Sequence, residues 1–169
     1  MTNRFLFDSS SLIVLVEIGY LQLFCDLIPN FTITSAVLKE VTLKPSPIKK
    51  AVEELISNGK IQVQSITITS HSSHQLYHTL GLHDGEISIL LAAKKKKDVI
   101  VFDDLVARSV ARAEGFNLTG LLGLLVSLKH TGKLSRNEVL VILSAINKTN
   151  FRMTALLYET ILKELESKK

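Results

Sequence analysis

Two places in this chain set aspartates directly behind a short apolar run. Asp8 follows Phe5-Leu6-Phe7, and Asp103-Asp104 follow Val99-Ile100-Val101-Phe102. Each run reads as a buried strand, and each aspartate falls where that strand gives way to a helix. In open α/β sheets, ligands bind at this junction, outside the carboxyl ends of the strands. The helix N-termini found there also favour anions such as phosphates. A helix cap explains a single aspartate equally well. It explains the Asp103-Asp104 pair less well. One carboxylate suffices for a cap, and two adjacent ones repel unless a cation or solvent lies between them.

Two glutamates sit in weaker settings. Glu86, in Asp84-Gly85-Glu86, falls in the first turn of a helix, where the helix dipole alone favours an acid. Glu40 lies among Val37, Leu38 and Val41, and a solvated helix face accounts for it. Arg108 and Arg112 are four apart and share one face of the helix after Asp104. They could contact phosphates, or form a solvated face paired with Glu114. Lys94–Lys97 is a compact positive run that a solvated helix end accounts for. His71, His74 and His78 share a helical face, but no Cys or clear acidic partner accompanies them, which argues against zinc. Cys25 reads as a core residue rather than a nucleophile.

The elements that must position these residues alternate along the chain. Strands are expected at Arg4–Phe7, Phe31–Ile33, Lys60–Thr69, Val99–Phe102 and Phe116–Leu118. Helical spacing covers Leu12–Asp26, a short segment holding Glu40 opened by Thr34 or Ser35, Ile48–Ser57 and Ser72–Leu80. It continues over Gly85–Lys97, capped by Asp84, and over Leu105–Glu114. Three more helices follow at about Leu121–Thr131, Asn137–Asn147 and Thr154–Glu166, the second opened by a Ser135/Glu138 capping box. Strands alternating with helices predict a mainly parallel sheet covered on both faces.

The 169 residues fit one domain, 1–169, with a core large enough to need no disulfide or structural metal. Hydrophobic residues make up 46%, which excludes global disorder. The single cysteine excludes a disulfide framework and fits an intracellular setting. No basic region followed by a long apolar run opens the chain, so no secretory signal is expected. No apolar stretch reaches the roughly 20 residues that span a bilayer. A net charge of +4 and a pI of about 9.2 are compatible with a polyanionic partner.

Phe5-Leu6-Phe7-Asp8-Ser9-Ser10 followed by an apolar helix resembles the opening of PIN domains. Glu40, after Ile33-Thr34-Ser35-Ala36-Val37, matches the second acidic position of that family. Gly85-Glu86 with Ala92-Ala93 matches the third, and Val101-Phe102-Asp103-Asp104 the fourth. Asp103–Arg108 and Gly120–Leu125 resemble a prokaryotic subgroup related to VapC toxins. The resemblance covers essentially the whole chain. It departs from commoner PIN domains in offering Glu86 where an aspartate is usual.

The resemblance implies a three-layer α/β/α sandwich with a central mainly parallel sheet. Additional C-terminal helices, about 135–167, would pack on it or form an interface. It also implies a metal-dependent endoribonuclease using Mg2+ or Mn2+, hard cations that take oxygen ligands. Asp8, Asp103 and Glu86 would ligate directly, with Asp103 and Asp104 both open as the fourth acid. Glu40 would act through water, and Ser10 would hydrogen-bond a ligand carboxylate or cap a helix. The implied partners are an RNA substrate, an antitoxin protein and a second copy of the chain, in the cytoplasm and away from membranes. A non-catalytic PIN-like binding or regulatory module is the alternative. A receiver-type phosphate-binding domain is a third reading, opposed by the lack of a late strand-end lysine and of a Gly-rich phosphate loop.

Overall fold

The computed structural model describes residues 3–66 and 72–166, with side chains from residue 75 onward in the second stretch. The expected α/β architecture is what forms. Five parallel strands run β1 (Phe5–Phe7), β2 (Phe31–Thr34), β3 (Gln62–Gln64), β4 (Val99–Val101) and β5 (Asn117–Thr119). They lie side by side in the order β3-β2-β1-β4-β5. Phe5 is in register with both Phe31 and Val99, so β1 is the central strand. Leu6, Phe7, Ile33, Ile100 and Val101 are fully buried. Phe7 stacks on Phe31 with ring centroids 3.8 Å apart.

Ten helices are assigned among the described residues. They are α1 (Ser9–Glu17), α2 (Leu21–Leu27), α3 (Ser35–Thr42), α4 (Pro47–Ser57) and α5 (Ser72–Thr79). After these come α6 (Asp84–Ala92), α7 (Leu105–Ala113), α8 (Leu121–His130), α9 (Arg136–Ile146) and α10 (Ala155–Glu166). Helices α1, α3, α4 and α6 pack together beside β2, α7 packs on β5, and α9 and α10 pack on α8. Layers of helix on both sides of a buried parallel sheet make this a PIN-like α/β/α sandwich.

From β1 the chain moves to β2 and then β3 on one side. From β4 it moves to β5 on the other. The direction of winding therefore reverses between β1 and β4. In such sheets the crevice at the reversal, at the carboxyl ends of the strands, is the natural binding site. Asp8 leaves β1 there, and Asp103-Asp104 leave β4 there.

Several expected boundaries moved, each for a local reason. The single helix over Leu12–Asp26 is two. It begins earlier, at Ser9, because Asp8 caps it. It ends at Gly19, whose φ of +76° lets Gly19 and Tyr20 donate back to Val16 and Leu15. Helix α2 then leaves at 116° to α1. The helix expected over Gly85–Lys97 stops at Ala92, and its cap is His83, not Asp84. Lys94–Lys97 is therefore a turn, with Lys96 at φ +65°. The strand expected over Lys60–Thr69 shrinks to Gln62–Gln64, an edge strand with two exposed residues; positions 67–69 lie outside the described residues. Phe102 falls just beyond β4, and β5 begins one residue later than expected. No single helix among the described residues is long and apolar enough to cross a membrane.

Candidate active site

Asp8 is 3% exposed at the top of the central strand. Its Oδ1 accepts the Ser11 backbone N–H at 2.9 Å, and its Oδ2 accepts the Ser10 hydroxyl at 2.7 Å. It thus caps α1 and still faces a cavity with its second oxygen's neighbourhood. Burial pushes its carboxyl above the ordinary range, against the lowering effect of those hydrogen bonds.

Asp103 and Asp104 take different directions. Asp104 is the cap of α7: its Oδ1 accepts from Val106 and Ala107 at 2.8 and 2.9 Å. It is exposed and lines the cavity with Asp8. Asp103 sits behind. Its Oδ1 accepts the Leu121 backbone N–H at 3.0 Å, and its Oδ2 accepts the Ser11 hydroxyl at 3.1 Å. One carboxylate thereby ties the starts of α1 and α8 to the end of β4. Burial and then the Asp8 charge push its carboxyl up to about 6. The same packing requires Gly120, since a Cβ there would stand 2.6 Å from Asp103 Oδ1 and 2.8 Å from Arg108 Nη1.

The two glutamates reach the same cavity from α3 and α6. Glu40 is not a merely solvated residue. Its Oε1 accepts the Gly85 backbone N–H at 2.9 Å and its Oε2 the Ser9 hydroxyl at 2.6 Å. Its carboxylate lies where a Gly85 side chain would be, at 2.7 Å from the Cβ position. Glu86 accepts the His83 backbone N–H at 2.9 Å in a capping box. Burial raises its carboxyl; the charges of Asp104 and Asp8 add to this, and the His83 N–H and ring oppose it. The start of α6 is fixed by Ser88, whose hydroxyl bonds Thr34 and the Gly85 carbonyl, both at 2.6 Å.

Asp8, Glu40, Glu86 and Asp104 therefore come from four separate elements and line one cavity of about 600 Å³. Ser9, Ser10, Asp84, His78 and His83 complete its wall. Sequence reasoning passed over Ser9, Ser11 and His83. Ser11 stands three residues after Asp8, and His83 three before Glu86, the spacing at which a cap and the first turn exchange hydrogen bonds.

Other candidates fall elsewhere. Arg108 turns inward, its Nη1 donating to the Phe102 carbonyl at 2.7 Å beside Asp103. Arg112 is exposed on α7, outside the cavity wall, and Glu114 is bound by Lys95 and Tyr77 instead. Lys94–Lys97 precedes β4, so it lies at the opposite end of that strand from Asp103-Asp104. His71 and the side chain of His74 lie outside the described residues. His78 pairs with Asp84 at 3.1 Å. Cys25 is a buried core residue whose thiol burial pushes up to about 12.

The oxygen-only carboxylate set matches the ligand preference of Mg2+ and Mn2+. In the present rotamers no three acids or histidines among the described residues gather closely enough to hold an ion. Each carboxylate is instead held by donors of its own chain, which keeps like charges apart. The fit is one of donor type and shared cavity.

The whole-chain pattern decides the family: the model DUF3368, described as a PIN domain, matches residues 4–167. The chain belongs to the PIN domain family. PIN domains are generally nucleases and typically use divalent metals. Comparison with curated proteins and with solved structures gave no match. The carboxylate cavity of this PIN domain lies at the reversal point of its sheet, where the fold leaves room for a ligand.

Proposed function

We propose that this PIN domain is a Mg2+- or Mn2+-dependent endoribonuclease, the toxin of a VapC-like toxin–antitoxin pair. The observation that carries the reading is the meeting of Asp8, Glu40, Glu86 and Asp104 in one cavity. Asp8, Asp104 and Glu86 would hold the ion, with Glu40 placed to orient water. When bound, the ion supplies Lewis acidity toward the phosphodiester and activates a water for attack.

The chain's own residues supply position. Ser10 fixes the Asp8 carboxylate. Gly85 and Ser9 seat Glu40. Asp103 holds the starts of α1 and α8 in place from behind and is not part of the cavity wall. Neutral hydroxyl and N–H donors keep the carboxylates oriented at little cost to their charge, which a hard cation needs.

The test is cleavage of single-stranded RNA by purified protein with Mn2+, run beside Asp8→Asn. The reading expects wild-type cleavage that EDTA stops and that falls by at least about a hundredfold in the variant. Equal cleavage by both proteins would remove the site. A second reading, a non-catalytic PIN-like binding or regulatory module, draws on the separation of the carboxylates in their present rotamers. Absence of cleavage across many RNAs, with no Mn2+ binding by calorimetry, would favour it.

A further inference from the structure

RNA is a polyanion, and a cavity walled by carboxylates repels it. Phosphates are held by N–H donors, commonly Arg and Lys side chains, backbone amides and helix N-termini. Among the described residues, neither the arginines of α7 nor the Lys94–Lys97 run fills that role at this cavity. Arg108 is turned onto the Phe102 carbonyl. Arg112 is not part of the wall. The lysine run is at the opposite end of β4, with Lys95 held by Glu114 and the Phe116 ring. Among the side chains that line the cavity, the nitrogen donors are the imidazoles of His78 and His83.

The two rings are held differently. His78 has Nδ1 at 3.1 Å from the Leu82 carbonyl and Nε2 at 3.1 Å from Asp84 Oδ1, so both nitrogens are engaged within the chain. It braces the corner between α5 and α6. His83 is exposed at the cap of α6, its ring turned to the Glu86 backbone N–H in the capping box, which occupies one ring nitrogen at most. Its backbone N–H holds the Glu86 carboxylate, so the His83 ring and a candidate metal ligand are carried on one rigid turn. The positive end of the α6 dipole adds to the field at this spot.

We propose that His83 is a substrate-binding residue of this site, its imidazole contacting a backbone phosphate of the RNA that the cavity receives. This rests on the reading of the cavity as an RNA-cleaving site. His83 makes the acidic cavity selective for a chain that arrives with phosphate on the α6 side. Glu86 and His83 then divide the work, the carboxylate facing the cation and the ring facing the polyanion.

The test compares wild type, His83→Ala and His83→Arg. Binding of a fluorescein-labelled single-stranded oligoribonucleotide is followed by anisotropy with Ca2+ in place of Mn2+. Cleavage with Mn2+ gives KM and kcat, and Mn2+ affinity is measured by calorimetry without RNA. Loss of the contact predicts a Kd and KM about tenfold higher in His83→Ala, the scale of one charge-assisted hydrogen bond, with Mn2+ affinity unchanged. His83→Arg should bind RNA nearly as wild type does. Wild-type RNA affinity in His83→Ala would overturn the proposal. So would a parallel fall in Mn2+ affinity, which would mark the ring as part of the metal site. If wild type binds RNA but never cuts it, the nuclease reading fails while the anisotropy still decides the role of His83. If wild type binds no RNA, both fail.

Discussion

At the scale of the residue, the adjacent pair Asp103-Asp104 shows how two identical side chains acquire opposite work. Asp104 caps a helix and faces the cavity; Asp103 is half-buried and organises the strand end. Burial and the Asp8 charge lift the Asp103 carboxyl from 3.8 to about 6 in the folded protein. Between those values the native state holds a proton that the unfolded chain has released. Stability of the metal-free protein therefore falls as pH rises through that window, by up to about 3 kcal/mol from this group. Asp103→Asn should raise the melting temperature in EDTA at pH 7 and change it little at pH 4. Thermal unfolding at both pH values checks this, and an equal shift at both would refute the assignment. Gly85 is the other pressure point. A Gly85→Ala methyl would meet the Glu40 carboxylate at 2.7 Å. The far end of Glu40 can swing away, so the expected stability loss is small, about 1 kcal/mol for the displaced hydrogen bond. Cleavage should fall much more than stability does, because Glu40 loses its seat; comparison of rate with melting temperature separates the two.

At the scale of the element, caps and glycines decide where helices begin and end. Gly19 breaks one apolar run into α1 and α2 because its φ of +76° suits glycine best. Gly19→Ala has open space around it, so its cost is backbone strain of about 1 kcal/mol. Chemical denaturation should show that loss with RNA cleavage unchanged, since the turn lies away from the cavity. This break was hidden in the sequence because Leu12–Asp26 stays apolar across it, and periodicity cannot see a sharp bend. The strands at Asp8 and Asp103 were legible because buried parallel strands are continuous apolar runs. Glu40 was legible only through its family resemblance. Its own surroundings read as a solvated face, and the Gly85 N–H that holds it lies 45 residues away. The boundary of α6 was missed because Ala92-Ala93 and the following lysines are all good helix formers. Asp98 wins that contest by accepting the Lys94 N–H at 2.8 Å and binding Arg4 at 2.5 Å.

At the scale of the whole molecule, topology assembles the site. A sheet wound outward from β1 and β4 leaves a crevice between them, and both strands end there in aspartate. Helices α3 and α6 bring the two glutamates to the same mouth. The cavity wall is acidic while the chain as a whole carries +4. Net charge can draw a polyanion toward the protein, but the local field at the cavity needs a cation to admit it. The central claim is that Asp8, Glu86 and Asp104 hold that cation while Asp103 stands behind them. Crystals soaked in Mn2+ and measured for anomalous scattering test this directly. The account predicts a Mn2+ peak in the cavity, ligated by Asp8 with Asp104 or Glu86, and no contact to Asp103. A cavity without manganese at millimolar concentration, or a peak held by Asp103 in place of Asp104, would contradict it.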